Sequence, residues 1–181
     1  MEPNMNAICK AALWRQFGAT MDMLENALHG CPDGLWAEPL WNDPQPCAGL
    51  SEFWYVAYHA LFWLDLYLTG MDEGFSPPAP FDLNELDPAG LLPERQFTRE
   101  ELLAYLEHNR RKCRAAIENL TDERARQTCK FPWGELSYAE LLLDNMRHVQ
   151  EHAAQLSMLL GQKTGSNARW VARAKNSLGP E

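Results

Sequence analysis

Proline placement constrains this chain more than any other feature of its sequence. Of its 12 prolines, nine fall between Cys31 and Gln96, and the segments 5–29, 51–69, 97–131 and 133–161 contain none. Proline lacks a backbone donor and clashes with the preceding helical turn, so long proline-free stretches between breakers read as helices and their connections. In the first segment Ala7, Ala11, Trp14, Phe17, Met21, Leu24 and Leu28 recur at three- and four-residue steps, and Gly30 with Pro32 closes it. The second opens at Ser51, expected as its N-cap, and stops before Gly70. It is apolar on nearly every side, which predicts the central helix of the core. Thr98-Arg99-Glu100-Glu101 and Ser137-Tyr138-Ala139-Glu140 both fit capping boxes. They open a third helix, with Leu102, Leu106, Cys113, Ile117 and Leu120 on its buried face, and a fourth that ends at Gly161. No stretch alternates with period two for long, although Phe131-Pro132-Trp133-Gly134 reads as a tight turn with a short hairpin around it. The expectation is an all-α four-helix bundle with long crossover connections. It forms one domain over 1–181, with a core at about 5–161 and a tail over 162–181.

The remaining composition narrows the function classes. With 16 basic and 25 acidic side chains the formal charge is −9, the wrong sign for a nucleic-acid partner. The most apolar stretch, Phe53 to Leu68, contains His59 and Asp65 and is shorter than the roughly 20 residues a membrane span needs. Five widely spaced cysteines (Cys9, Cys31, Cys47, Cys113, Cys129) form no CxxC, and no signal-peptide pattern precedes the first helix, so the expected compartment is the cytoplasm. The proline-rich connection over 71–96 is expected to cross an end of the bundle. The tail carries Lys163, Arg169, Arg173 and Lys175, with Trp170 and Val171 placed to pin it down.

The five histidines carry the chemistry. His148 and His152 are four residues apart, so their rings project from one helix face about one turn apart. Such a pair can chelate one divalent ion, and neutral imidazole suits zinc, nickel or iron(II). His59 lies mid-helix in the apolar second segment, where a polar ring needs a partner. An HxxxH pair also arises by chance, and a lone core histidine is commonly just hydrogen-bonded; three together at mid-helix positions point to a metal. Asp144 lies one turn before His148 and is expected as an acceptor for a ring N–H or a further ligand. Glu151 is a candidate base or a surface acid. Tyr55, Tyr58, Phe62 and Trp63 are candidates to line the pocket or to serve as plain core. His108 reads as solvated, and His29 sits at a helix C-terminus, where an imidazolium favours the dipole, with no catalytic role.

Two other metal patterns fit poorly. His148-Val149-Gln150-Glu151-His152 spells H-x-x-E-H, but a metallopeptidase of that kind needs an acidic ligand well downstream, and Glu181 is the only acid after His152. Di-iron carboxylate bundles need Glu-x-x-His, and Val56, Tyr105, Asn145 and Val149 stand at the relevant positions.

Tyr58-His59-Ala60-Leu61-Phe62-Trp63-Leu64-Asp65 and Arg147-His148-Val149-Gln150-Glu151-His152-Ala153-Ala154-Gln155-Leu156 resemble the DinB/YfiT-like superfamily of metal-dependent enzymes. The resemblance extends from about Met5 to Gly161. It implies a four-helix bundle with a long crossover, and zinc or nickel held by His59, His148 and His152 with further positions open. It also implies a small-molecule substrate, a frequent homodimer and, in characterised relatives, low-molecular-weight thiol cofactors (bacillithiol in S-transferases, mycothiol in an isomerase). Three neutral ligands would leave the ion's charge uncompensated and favour thiolate or hydroxide at an open position. The expected function is thus a thiol-dependent S-transferase or a metal-assisted hydrolase. The alternative is a metal- or small-molecule-binding stress protein without turnover.

Overall fold

A computed structural model of the chain describes residues 5–42, 49–166 and 169–178; Cys47 lies outside them. Four long helices dominate: α1 (Met5–Gly30), α2 (Phe53–Thr69), α3 (Arg99–Glu118) and α5 (Tyr138–Thr164), with a short α4 (Asp122–Arg126) before α5. Between α4 and α5 lies a two-stranded antiparallel sheet, β1 (Thr128–Phe131) and β2 (Gly134–Ser137), paired from Thr128 with Ser137 to Phe131 with Gly134. This is the hairpin expected around Pro132 and Trp133. Both α1 and α2 pack against α3 and α5. Among the described residues no helix is long and apolar enough to cross a membrane.

Helix α2 is the most deeply buried element. Phe53, Ala57, Tyr58, Ala60, Leu61, Phe62, Leu64 and Leu66 are fully enclosed. Burying each large apolar side chain stabilises the fold by about 1.5–3 kcal/mol relative to exposure. On one side, His59 and Trp63, four residues apart, remain only half-buried. That narrow less-buried strip is where a polar ring can point outward without breaking the core.

The caps at Thr98 and Ser137 form as the sequence predicts, each side chain accepting from the third helical N–H while that residue's glutamate returns a bond. Ser51 does not cap α2. The N-cap is Glu52, whose side chain makes no capping bond. The first free N–H groups of α2 are met instead by the preceding loop, Phe53 N donating to Glu38 O and Trp54 N to Trp36 O, both at 3.0 Å. Backbone acceptors from a distant segment thus replace the side chain that the sequence offered. At the far end Gly70 takes φ +85°, and a Cβ there would lie 2.9 Å from Arg124 Nη2, so only glycine fits this stop. Helix α5 passes through Gly161 and ends after Thr164, with Gly165 at φ +73° as the left-handed stop. An interior glycine costs only about 1 kcal/mol, too little to end a helix whose apolar face continues through Leu160.

The connection over 71–96 does not simply cross an end. It sends Phe75 against Phe62 and Phe81 against Tyr58 and Tyr105, and its 3-10 turn Asn84–Leu86 brings Glu85 to the outer strip of α2.

Candidate metal centre

Helix α2 contributes His59, and α5 contributes His148 and His152 from consecutive turns. His148 Nε2 lies 3.3 Å from His59 Nε2 and 3.0 Å from His152 Nε2. One donor nitrogen from each of the three falls within 4.8 Å of the others. The three histidines singled out in the sequence therefore meet at one point, from two helices separated by 89 residues in the case of His59 and His148.

The outer nitrogens fix the tautomers. His59 Nδ1 donates to Glu85 Oε2 at 2.7 Å, and the same oxygen accepts from Trp63 Nε1 at 2.8 Å. His152 Nδ1 donates to Gln155 Oε1 at 2.9 Å. A neutral imidazole that donates through Nδ1 presents a lone pair at Nε2. The outer bonds leave Nε2 of both His59 and His152 turned inward, the first 3.3 Å and the second 3.0 Å from His148 Nε2. His148 Nδ1 is itself buried without a hydrogen-bond partner. Burial, reinforced by His152 and His59, holds the His148 pKa down to about 3, so the ring is neutral near pH 7. His152 is lowered for the same two reasons, burial and His59. Converging imidazole nitrogens are the donor set of a borderline divalent cation. Tetrahedral ligation at about 2.05 Å sets ligand nitrogens roughly 3.3 Å apart, close to the separations here.

Glu85 is almost wholly enclosed, with 4% of its side chain exposed. Burial alone would raise its carboxyl, yet the hydrogen bond and charge of His59, with help from Tyr55 and Trp63, bring it below the usual carboxylate range. It is therefore a carboxylate, and carboxylate–histidine pairs of this type orient ligand rings and raise their basicity.

Neither Asp144, expected as a ring acceptor or further ligand, nor Glu151, a candidate base or surface acid, hydrogen-bonds a ring of the centre. Asp144 turns to Arg147, 3.5 Å away, and Glu151 is exposed and reaches His152 only through its charge. Asp144 stands one turn before His148 on nearly the same stripe, but its short side chain pairs with Arg147 instead. The acceptors are Gln155, visible in the sequence three residues after His152, and Glu85, carried by a loop that periodicity cannot place. The pocket candidates also divide. Tyr58 and Phe62 are fully buried against Phe81, Phe97 and Phe75 and belong to the core. Tyr55 is buried near Glu85, and burial together with that charge raises its phenol well above the ordinary value. Trp63 touches the centre through Glu85 and lies 6.2 Å between ring centres from His59, and Tyr55 also hydrogen-bonds Glu85. The sequence did not indicate Tyr67, which packs edge-on to His148 at 6.3 Å. His108 is not simply solvated, its Nε2 lying 3.6 Å from the buried Asp65.

A cavity of about 570 Å³ opens beside His148, between α1 and α5, with Thr20, Tyr67, Met146, Arg147 and Trp170 among its walls. Its size is that of a small-molecule site. The buried thiols of Cys31 and Cys113 are poor competitors for a metal, since burial pushes the first up to about 11 and the second higher still.

The family model described as the DinB superfamily matches residues 16–156, which include all three histidines. No curated protein matches the chain.

Proposed function

The chain belongs to the DinB superfamily, and from that premise we propose that it is a metal-dependent enzyme whose single divalent ion, zinc or nickel, is held by Nε2 of His59, His148 and His152. The observation that carries this reading is the convergence of three imidazole nitrogens on one point, two of them on rings whose pKa burial holds down. The four long helices serve as the family's bundle, with residues 31–52 and 70–98 as its long connections.

When bound, such an ion supplies Lewis acidity that lowers the pKa of a thiol or a water ligand. The chain's own residues prepare the site for it. Glu85 accepts from His59 Nδ1 and keeps its Nε2 free, and Gln155 does the same for His152. Burial keeps His148 neutral, so no proton has to be displaced from it at neutral pH. Three neutral ligands leave the ion's positive charge to be balanced by an anionic donor from a small molecule. A thiolate fits that requirement, and the reaction class is transfer to a low-molecular-weight thiol, with hydrolysis as the thiol-free counterpart.

The test is elemental analysis after dialysis against zinc or nickel at neutral pH, followed by titration with small thiols. One ion per chain, lost in His148→Ala, is expected. A wild-type protein that retains no ion would overturn the reading. Turnover of esters or amides without thiol would replace the transferase by a hydrolase.

A further inference from the structure

The segment after α5 is bound to α1 more firmly than its position near the end of the chain suggests. Gln16 Nε2 donates to Ala172 O at 3.1 Å, Ala174 N to Arg15 O at 2.8 Å, Lys175 N to the buried Asp22 Oδ2 at 2.8 Å, and Trp14 Nε1 to Asn176 O at 2.8 Å. Gly18 makes the close approach possible, because a Cβ there would stand 2.5 Å from the Ala174 methyl. The anchorage begins two residues after Trp170, and Val171 packs on the core. Yet the Trp170 side chain does not pin the segment, as the sequence suggested it would; the residue is 72% exposed.

An indole on an anchored backbone normally gains by burying its ring, since aromatic side chains carry the largest apolar area of any residue. Here the ring is held at the wall of the cavity beside His148, with Tyr67 lining the same cavity. It also lines a second cavity of about 850 Å³ that runs along α5 past Met23 and Met158. Met146 and Val171 add apolar surface, and the charged rim is formed by Glu151 and the Asp144–Arg147 pair. A site of this volume with two aromatic walls, next to a centre suited to an anionic donor, favours one ligand shape. That shape is a flat apolar body with one anionic donor atom.

We infer that Trp170 is a ligand-contacting residue: its indole covers the flat apolar body of a small molecule whose anionic donor reaches the three-histidine centre. This rests on the metal reading above and adds a substrate class and a specificity-determining residue to it. The apolar body lies against Trp170 and Tyr67, and the small-thiol affinity of the centre itself is independent of both.

The test uses the full chain loaded with cobalt(II), titrated with benzyl mercaptan and with ethanethiol, and read through sulfur-to-cobalt charge-transfer absorption. An aromatic contact of ordinary strength gives the benzyl thiol an advantage of about five- to tenfold. Trp170→Ala should remove that advantage, Trp170→Phe should keep most of it, and cobalt content and ethanethiol affinity should match wild type in both. Equal affinity of the two thiols in wild type, or an undiminished ratio in Trp170→Ala, overturns the inference and leaves the metal reading standing. A second arm needs no ion: the metal-free chain titrated with anilinonaphthalene sulfonate, a flat aromatic anion. Binding of one molecule per chain, weakened by Trp170→Ala and not by Trp170→Phe, supports the inference even if cobalt fails to bind and the metal reading falls. Affinity indifferent to Trp170 there overturns it.

Discussion

Helix α2 carries two polar side chains, His59 and Asp65, onto opposite sides, and the molecule treats them in opposite ways. Asp65, 1% exposed, is surrounded by donors. The Tyr105 hydroxyl donates to Oδ2 at 3.0 Å, Lys112 Nζ donates to Oδ1 and to the Asp65 carbonyl, and His108 approaches from the surface. Lys112 also bonds Thr69 Oγ1 at 2.7 Å. Every charge there has an opposite neighbour. At His59 the outer nitrogen is equally well served by Glu85, but the inner one faces two more imidazoles. One polar cluster is closed upon itself; the other turns three imidazole nitrogens toward one another and leaves His148 Nδ1 buried without a partner. Satisfaction, more than polarity or burial, separates the two clusters.

Removing one partner from the closed cluster should cost most. Asp65→Ala leaves the Lys112 ammonium and the Tyr105 hydroxyl without their acceptor, and breaking a buried pair costs about 3–5 kcal/mol. Urea unfolding of the metal-free protein measures it, and zinc stoichiometry should remain at the wild-type value. A loss below about 1 kcal/mol would mean that the cluster is dispensable and the contrast overstated.

The same experiment on the other side should behave differently. His148→Ala should leave helical circular dichroism nearly unchanged while abolishing the stabilisation that metal provides. For a ligand at a hundred times its Kd that stabilisation is about 2.7 kcal/mol. Thermal unfolding with and without zinc distinguishes the cases: a variant still stabilised by zinc would remove His148 from the ligand set. Glu85→Gln tests the link between loop and centre. A neutral amide can still accept from His59 Nδ1, but without the carboxylate's charge, and changes of this kind weaken metal affinity by about 10- to 100-fold. Unchanged affinity in a competitive chelator titration would reduce Glu85 to a packing residue.

The two clusters also differed in how far the sequence revealed them. His59, His148 and His152 were legible because helical spacing fixes which side chains share a face, and capping boxes and proline gaps located the helices that bear them. The acceptor Gln155 obeys the same rule and was within reach. Glu85 was not, because its place depends on how the 71–96 connection folds back through Phe75 and Phe81, and aromatic packing between distant segments leaves no periodic trace. Asp65 was visible as a charge in an apolar helix, but its neutralisation by Lys112 and Tyr105 depends on the relative rotation of α2 and α3. Ser51 failed as a cap for a related reason, since carbonyls of a distant loop took its role. Local rules held where the partners were local.

Acid sharpens the comparison further. His148 is held to about 3 in the fold, against 6.5 for an ordinary histidine, and His152 is shifted in the same direction. Above about 6.5 both the folded and unfolded chains carry these rings neutral, and the shift contributes nothing. Below it the unfolded chain takes up protons that the fold refuses. Stability of the metal-free protein should therefore fall as pH drops from about 6.5 toward 3, by ~1.4 kcal/mol per pH unit for each ring kept neutral. Glu85 adds a loss of the same sign at lower pH, because its lowered folded pKa stabilises only while it is ionised. Urea midpoints between about pH 7 and pH 5 should slope accordingly, and His148→Ala should flatten the slope by about one proton. A wild-type slope that survives His148→Ala would mean that the centre already holds a proton in the fold. The three rings would then form a closed hydrogen-bonded cluster like the one around Asp65, and the reason to expect a metal there would be gone.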